Sequence, residues 1–150
     1  MINIYTIGFT QKTAEQFFTI LKNAKIDCLV DVRLNNVSQL AGYTKSLDLK
    51  YFLKEILNIE YRHSTMLAPT KDILDGYKKG KISWNDYEIK YLDLISKRHV
   101  EKDFIKFLPK NSQNICLLCS EVRPDNCHRR LLAEYLKNKL PEEINNVCHL

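Results

Sequence analysis

Residues 116–130 hold the densest group of reactive side chains in the sequence. They run Cys116-Leu117-Leu118-Cys119-Ser120-Glu121, then a loop with Arg123, Pro124 and Asp125, then Cys127-His128-Arg129-Arg130. Thiols, an acid, an imidazole and cations gather where an apolar strand gives way to an amphipathic segment, and open α/β sheets place ligands at such junctions. Asp125 reads as the N-cap of the following helix, with Pro124 blocking its backward extension. Asn126, Cys127 and His128 then fall in the first turn, where exposed amides and the helix dipole favour negative charge. A thiolate at Cys127, flanked by Arg129 and Arg130, would have a lowered pKa. The same amides, with Arg123 and Arg130, suit a phosphate or carboxylate. The structural alternative is a small buried Cys127, a capping His128 and arginines bridged to nearby acids.

Several familiar chemistries fit this segment badly. Cys116 and Cys119 have the spacing of a redox pair, but residues three apart on a strand point to opposite faces. A phosphatase-type loop needs Arg six residues after its Cys, and that position is Asp125. The loop also has no glycine to turn its amides inward, and Pro124 has no amide to offer. Cys119, Cys127 and His128, with His63 as a fourth donor, match no usual zinc spacing. No metal and no cofactor is therefore expected.

Three further places would meet this segment at the carboxyl edge of a parallel sheet. Gly8-Phe9-Thr10-Gln11 is a strand-to-helix turn without a dinucleotide or P-loop fingerprint, although Thr10 offers a ligand donor. Asp31 and Arg33 are two apart and share a strand face. Either they form an internal ion pair, or Arg33 clamps an anion that Asp31 orients. His63 ends a short strand beside Arg62 and titrates in the range useful for acid–base work.

The elements that must position these groups follow from periodicity. Ile2–Ile7 predicts a strand, Thr13–Asn23 a helix with Gln16 near its cap, and Ile26–Val32 a second strand; together they form a βαβ unit. Leu47–Leu57 is the next helix and Ile59–His63 a third strand. Helices are predicted over 70–79 and 83–99, with Ser83 as an N-cap, and a short one over 104–108. Ile115–Cys119 is the fourth strand, 127–138 a helix and 146–150 a last strand. The fold class is α/β: a single three-layer domain over 1–150, its mostly parallel sheet flanked by helices, with a helical insertion before the fourth strand. The insertion, 64–110, reads as a lid or a partner surface.

Composition limits the function classes. Hydrophobic residues make up 45% and charged residues 27%, ordinary values for a soluble globular chain. No apolar run is long enough to span a bilayer, and the start Met1-Ile2-Asn3-Ile4-Tyr5 is not a signal peptide, so no membrane partner is expected. Five cysteines without an export signal read as reduced thiols in the cytoplasm. A net charge of +5 is compatible with an anionic partner but is not concentrated in one basic block.

Thr6-Ile7-Gly8, Asp31-Val32-Arg33 followed by Ser38, Glu60-Tyr61-Arg62-His63, and Leu117-Leu118-Cys119-Ser120-Glu121 with Cys127-His128-Arg129 occur in this order. The ordered set resembles the family of unknown function numbered 488, over nearly the whole chain. The resemblance implies an α/β fold with a motif-bearing sheet edge in bacterial and archaeal cytoplasmic proteins, and supplies no reaction. The family's Thr-Ile-Gly-His-Ser is here Thr6-Ile7-Gly8-Phe9-Thr10, and its Leu-Gly-Gly is Leu67-Ala68-Pro69-Thr70.

Two functional expectations result. The first is an anion-binding, catalytic pocket for a phosphorylated or nucleotide-like ligand. In it Thr10, Asp31, Arg33, Arg123, Arg129 and Arg130 bind, Cys119 or Cys127 attacks, and Glu121, His63 or His128 carries protons. The alternative is a non-catalytic module: a partner-binding scaffold, or a nucleic-acid binder using Tyr77, Lys78, Lys79, Lys81 and Trp84 for stacking and phosphate contacts. Oligomeric state is not encoded legibly.

Overall fold

The computed structural model describes residues 1–37, 41–121 and 123–150. Ser38 of the second motif and Val122 of the loop after the fourth strand lie outside these residues. The elements are β1 (Ile2–Gly8), α1 (Ala14–Asn23), β2 (Cys28–Asp31), α2 (Ser46–Phe52, continued by a π turn, Leu53–Leu57), β3 (Glu60–His63) and α3 (Lys71–Lys78). They continue as α4 (Trp84–Lys97), α5 (Val100–Phe107), β4 (Asn114–Cys119), α6 (His128–Lys139) and β5 (Ile144–His149).

The strands form one sheet in the order β3-β2-β4-β1-β5, and every described pairing is parallel, rather than mostly so. Alternation along β4 explains why both faces are covered. Ile115, Leu117 and Cys119 enter one apolar cluster with Tyr87, Tyr91 and Ile95 of α4 and Leu131, Leu132 and Leu136 of α6. Cys116 and Leu118 enter the other, with Phe17, Phe18 and Leu21 of α1 and Leu49 of α2. Cys116 and Cys119 thus lie on opposite faces, as the strand period requires. A fully buried leucine such as Leu117 contributes about 2 kcal/mol through this burial.

Local signals set the helix starts. Thr13 accepts from the Gln16 amide at 3.1 Å while the Gln16 side chain accepts from the Thr13 amide at 2.9 Å, a reciprocal cap. Ser83 and Asp86 repeat the arrangement at α4. The β2 strand starts later than its apolar run suggests, because the Asp27 carboxylate accepts from the Gln113 and Asn114 amides, each at 2.8 Å. β5 begins at Ile144, two residues before its expected start.

Part of the 64–110 stretch is a wall of the fold. Its helix α4 buries Tyr87, Tyr91 and Ile95 against the sheet. Tyr77 packs on Trp84 at 5.4 Å between ring centroids, and Trp84 stacks on Tyr87 at 4.8 Å. Those two aromatics, expected to offer base stacking, pack into this ladder. No helix among the described residues is long and apolar enough to cross a membrane.

Candidate functional site

β4 lies between β1 and β2, and the chain leaves β4 toward the face opposite to the one it takes after β1 and β2. From β1 it passes to α1 on one side of the sheet, and from β4 to α6 on the other. A cleft opens where neighbouring strands diverge in this way. The ends of β1, β2 and β4 meet there closely. An added Cβ at Gly8 would stand 1.5 Å from the Glu121 carbonyl oxygen, so only glycine lets the two backbones pass. The fully buried Arg129 donates from Nη1 to that same carbonyl at 2.6 Å. Thr10 donates from both its amide (3.1 Å) and hydroxyl (2.5 Å) to the Ser120 carbonyl. Its hydroxyl ties the β1 turn to the β4 loop.

The reactive cluster lies on the floor of the cleft. The Cys119 and Cys127 sulfurs and a His128 ring nitrogen are all within 4.8 Å of one another and all three residues are buried. Cys119 Sγ is 3.7 Å from His128 Nδ1, and His128 Nε2 donates to the Val32 carbonyl at 2.7 Å. Tyr91 packs edge-on against the imidazole at 5.4 Å. With Nε2 committed as a donor, a neutral ring presents an Nδ1 lone pair to Cys119 and accepts the thiol proton. The neighbouring Cys127 thiol, against the opposing effect of burial, holds the Cys119 pKa well below the ordinary thiol value, aided by His128 and Arg129. Burial and the neighbouring Cys119 push the Cys127 thiol well up. Burial disfavours charge on His128, but the Cys119 thiolate outweighs it and raises the imidazole pKa.

These positions correct two sequence expectations. The N-cap of α6 is Cys127, with extended backbone (φ −140°, ψ 138°), and not Asp125. Asp125 and Asn126 belong to a turn closed by the Cys127 amide donating to the Pro124 carbonyl at 3.2 Å, so the helix cannot begin before His128. Cys127 stands before the first helical turn, and the thiol that faces the imidazole and whose pKa is held down is Cys119.

Asp31 and Arg33 form the internal pair. Arg33 donates from Nε to Asp31 Oδ1 at 2.8 Å and from Nη2 to Oδ2 at 2.7 Å, and Nη2 also donates to the Thr44 carbonyl at 2.7 Å. The Tyr61 hydroxyl donates to Asp31 Oδ2 at 2.7 Å. The remaining nitrogen, Arg33 Nη1, is buried and makes no hydrogen bond among the described residues. The guanidinium lies 5.3 Å from the Phe9 ring centroid, so Phe9 supplies a cation–π partner.

The other candidates scatter. Arg130 bridges to Glu134 (3.0 Å), approaches Glu88 (3.7 Å) and donates to the Asp125 carbonyl (3.2 Å), as its structural alternative required. Arg123 is exposed in a shallow surface depression with Gln11 and Asp125. His63 Nε2 is hydrogen-bonded to the Arg33 carbonyl at 2.8 Å and stands apart from the thiols. Arg62 donates to Glu60 and to the Phe107 carbonyl.

A cavity of about 250 Å³ covers the cluster, bounded by Phe9, Arg33, Lys78, Cys119, Glu121 and His128. Pro69 and Leu74 supply apolar wall. Lys78 was visible in the sequence only as part of a basic run; its place here depends on α3 descending to the carboxyl edge, which no local pattern encodes. A larger depression of about 650 Å³ lies at the opposite edge, around Lys50, Lys54 and Lys110, and no thiol or imidazole lines it. The cluster presents three donors of kinds that zinc accepts, but a closed structural site takes four. Among the described residues no fourth His, Cys, Asp or Glu joins them.

No curated protein and no solved structure matches the chain. The family model described as "Domain of unknown function DUF488" matches residues 13–136, a span holding Asp31, Arg33, Cys119, Cys127 and His128. The chain belongs to this family of unknown function.

Proposed function

We propose that the protein is a thiol-dependent enzyme acting on a small anionic substrate, a phosphorylated one above all, at the carboxyl edge of its sheet. The observation that carries this reading is Cys119 Sγ, 3.7 Å from an imidazole whose other nitrogen is committed to a backbone carbonyl, opening into a cavity with Arg33 and Lys78. That is the nucleophile, base and orienting group of covalent catalysis. Cys119 attacks the electrophilic centre, His128 takes and returns the proton, and Arg33 Nη1 with Lys78 holds the anion. Arg129 adds positive potential. After burial, it is the next cause lowering the pKa of Lys12 and of His149, and it also favours the Cys119 thiolate.

The cavity is smaller than the roughly 300 Å³ at which drug-sized sites begin. A single small acid or phosphate ester fits better than a nucleotide. The reducing cytoplasm is the proposed setting, consistent with five free thiols.

The charge of the pocket is tested with iodoacetate and iodoacetamide, reagents of similar size that differ by one negative charge. Labelling is located by peptide mass. At Cys119 the iodoacetate-to-iodoacetamide rate ratio is expected to exceed that of mercaptoethanol by roughly tenfold, the worth of about 1.4 kcal/mol of charge attraction. Lys78→Glu is expected to remove the preference. A Cys119 that neither reagent labels, or a wild-type ratio equal to that of mercaptoethanol, would overturn the reading.

A further inference from the structure

We propose that Cys119 and Cys127 are a peroxidatic and a resolving thiol, a pair that reduces a small hydroperoxide and closes into an internal disulfide. The inference rests on the reading of Cys119 as a nucleophile and adds a second activity to the same site. Four observations lead to it. The two sulfurs lie within 4.8 Å of each other. Only one of them, Cys119, borders the cavity through which a reagent enters. The imidazole that can serve both thiols in turn is within the same 4.8 Å. Cys127 is the N-cap of α6, on extended rather than helical backbone.

These positions divide the labour. Cys119 meets the oxidant; Cys127, buried behind it and held as a thiol by that burial, waits for the product. A disulfide needs an S–S distance of about 2.05 Å, so the sulfurs must close further. A change of staggered rotamer at the cap residue, whose backbone is extended, is a route to that closure.

The steps balance. The Cys119 thiolate attacks one oxygen of the hydroperoxide, forming an S–O bond and breaking O–O. The released alkoxide or hydroxide takes a proton from the His128 imidazolium and leaves as an alcohol or water. Cys119 is then a sulfenic acid. Cys127 gives its proton to His128 Nδ1, and its thiolate attacks the Cys119 sulfur. The S–O bond breaks, and the departing hydroxide takes that proton and leaves as water. Two thiols have lost two electrons to the hydroperoxide, and an external dithiol returns them. The 250 Å³ cavity suits hydrogen peroxide or a short alkyl hydroperoxide.

The experiment treats the reduced full chain with one equivalent of hydrogen peroxide at neutral pH and follows intact mass and a peptide map. The expected product has lost two hydrogens and links Cys119 to Cys127. It is expected to form roughly tenfold faster than peroxide oxidises mercaptoethanol, because the ordinary thiol is mostly protonated and the lower nucleophilicity of a low-pKa thiolate offsets only part of that gain. Cys127→Ser is expected to gain one oxygen at Cys119 that dimedone traps, and Cys119→Ser to show neither product. A wild-type chain that keeps both thiols, or links other cysteines, would overturn the proposal. Iodoacetamide labelling of the same samples separates the two readings. Rapid labelling of Cys119 without a disulfide removes the resolving pair and leaves the nucleophile, whereas loss of both removes both.

Discussion

Asp31→Ala is expected to cost about 4 kcal/mol of folding free energy, because it strands a buried charge. Arg33 is only 4% exposed and Asp31 wholly buried, so water cannot replace the lost carboxylate. The substitution removes the acceptors for Arg33 Nε, Nη2 and backbone amide, and for the Tyr61 hydroxyl. Against a total stability of roughly 5–15 kcal/mol, urea unfolding should show the change plainly. The double variant Asp31→Leu with Arg33→Met tests the cause. Removing both charges should recover stability to within about 1 kcal/mol of wild type. It should also weaken the preference of Cys119 for iodoacetate, since of the two cations only Lys78 then remains. A single Asp31→Ala variant as stable as wild type would show that Arg33 finds other partners.

Gly8→Ala is expected to be the most damaging exchange of a single methyl group at this edge. The new Cβ would stand 1.5 Å from the Glu121 carbonyl oxygen and 3.0 Å from Arg129 Nη1. The first obstacle is backbone, anchored in turn by the 2.6 Å bond from Arg129, so one strand end must move. Overpacking of this kind costs about 3 kcal/mol, which lowers Tm by roughly 10 °C in a chain of this size. Gly42 has nothing within 4 Å of its ideal Cβ and serves as the control. Gly42→Ala should change stability by no more than about 0.5 kcal/mol. Equal effects at the two glycines would mean that the Gly8–Glu121 passage is not tight in solution.

The same two positions show how much of the molecule was readable beforehand. The βαβ start, the parallel sheet and the opposite facing of Cys116 and Cys119 all follow from period and connection length, which are local. The Asp31–Arg33 pair was visible as two residues sharing a face, and the structure selects the ion pair. What the sequence hid is contact across elements. Gly8 looked like an ordinary turn glycine, because its constraint comes from Glu121, more than a hundred residues away. The start of α6 was misplaced because Asp125 has the right chemistry for a cap, while the turn through Pro124 decides where the helical ladder can begin. Cys127 therefore stands ahead of the first turn, and His128, the first helical residue, faces Cys119 at 3.7 Å. His63 remained apart because its ring nitrogen is tied to the Arg33 carbonyl.

The central claim is that Cys119 is a thiolate at neutral pH, stabilised by the Cys127 thiol and by His128. Its sign is fixed: a thiol whose pKa is lowered reacts at full rate above that pKa and loses reactivity as the pH falls through it. The direct measurement is the rate of iodoacetamide labelling at Cys119 as a function of pH, in wild type and in His128→Gln. The expected wild-type profile is flat through neutrality and falls only on the acid side, and the His128→Gln profile is displaced upward in pH. A wild-type rate that instead climbs with a midpoint near about 8.5, the value of an unperturbed thiol, would contradict it.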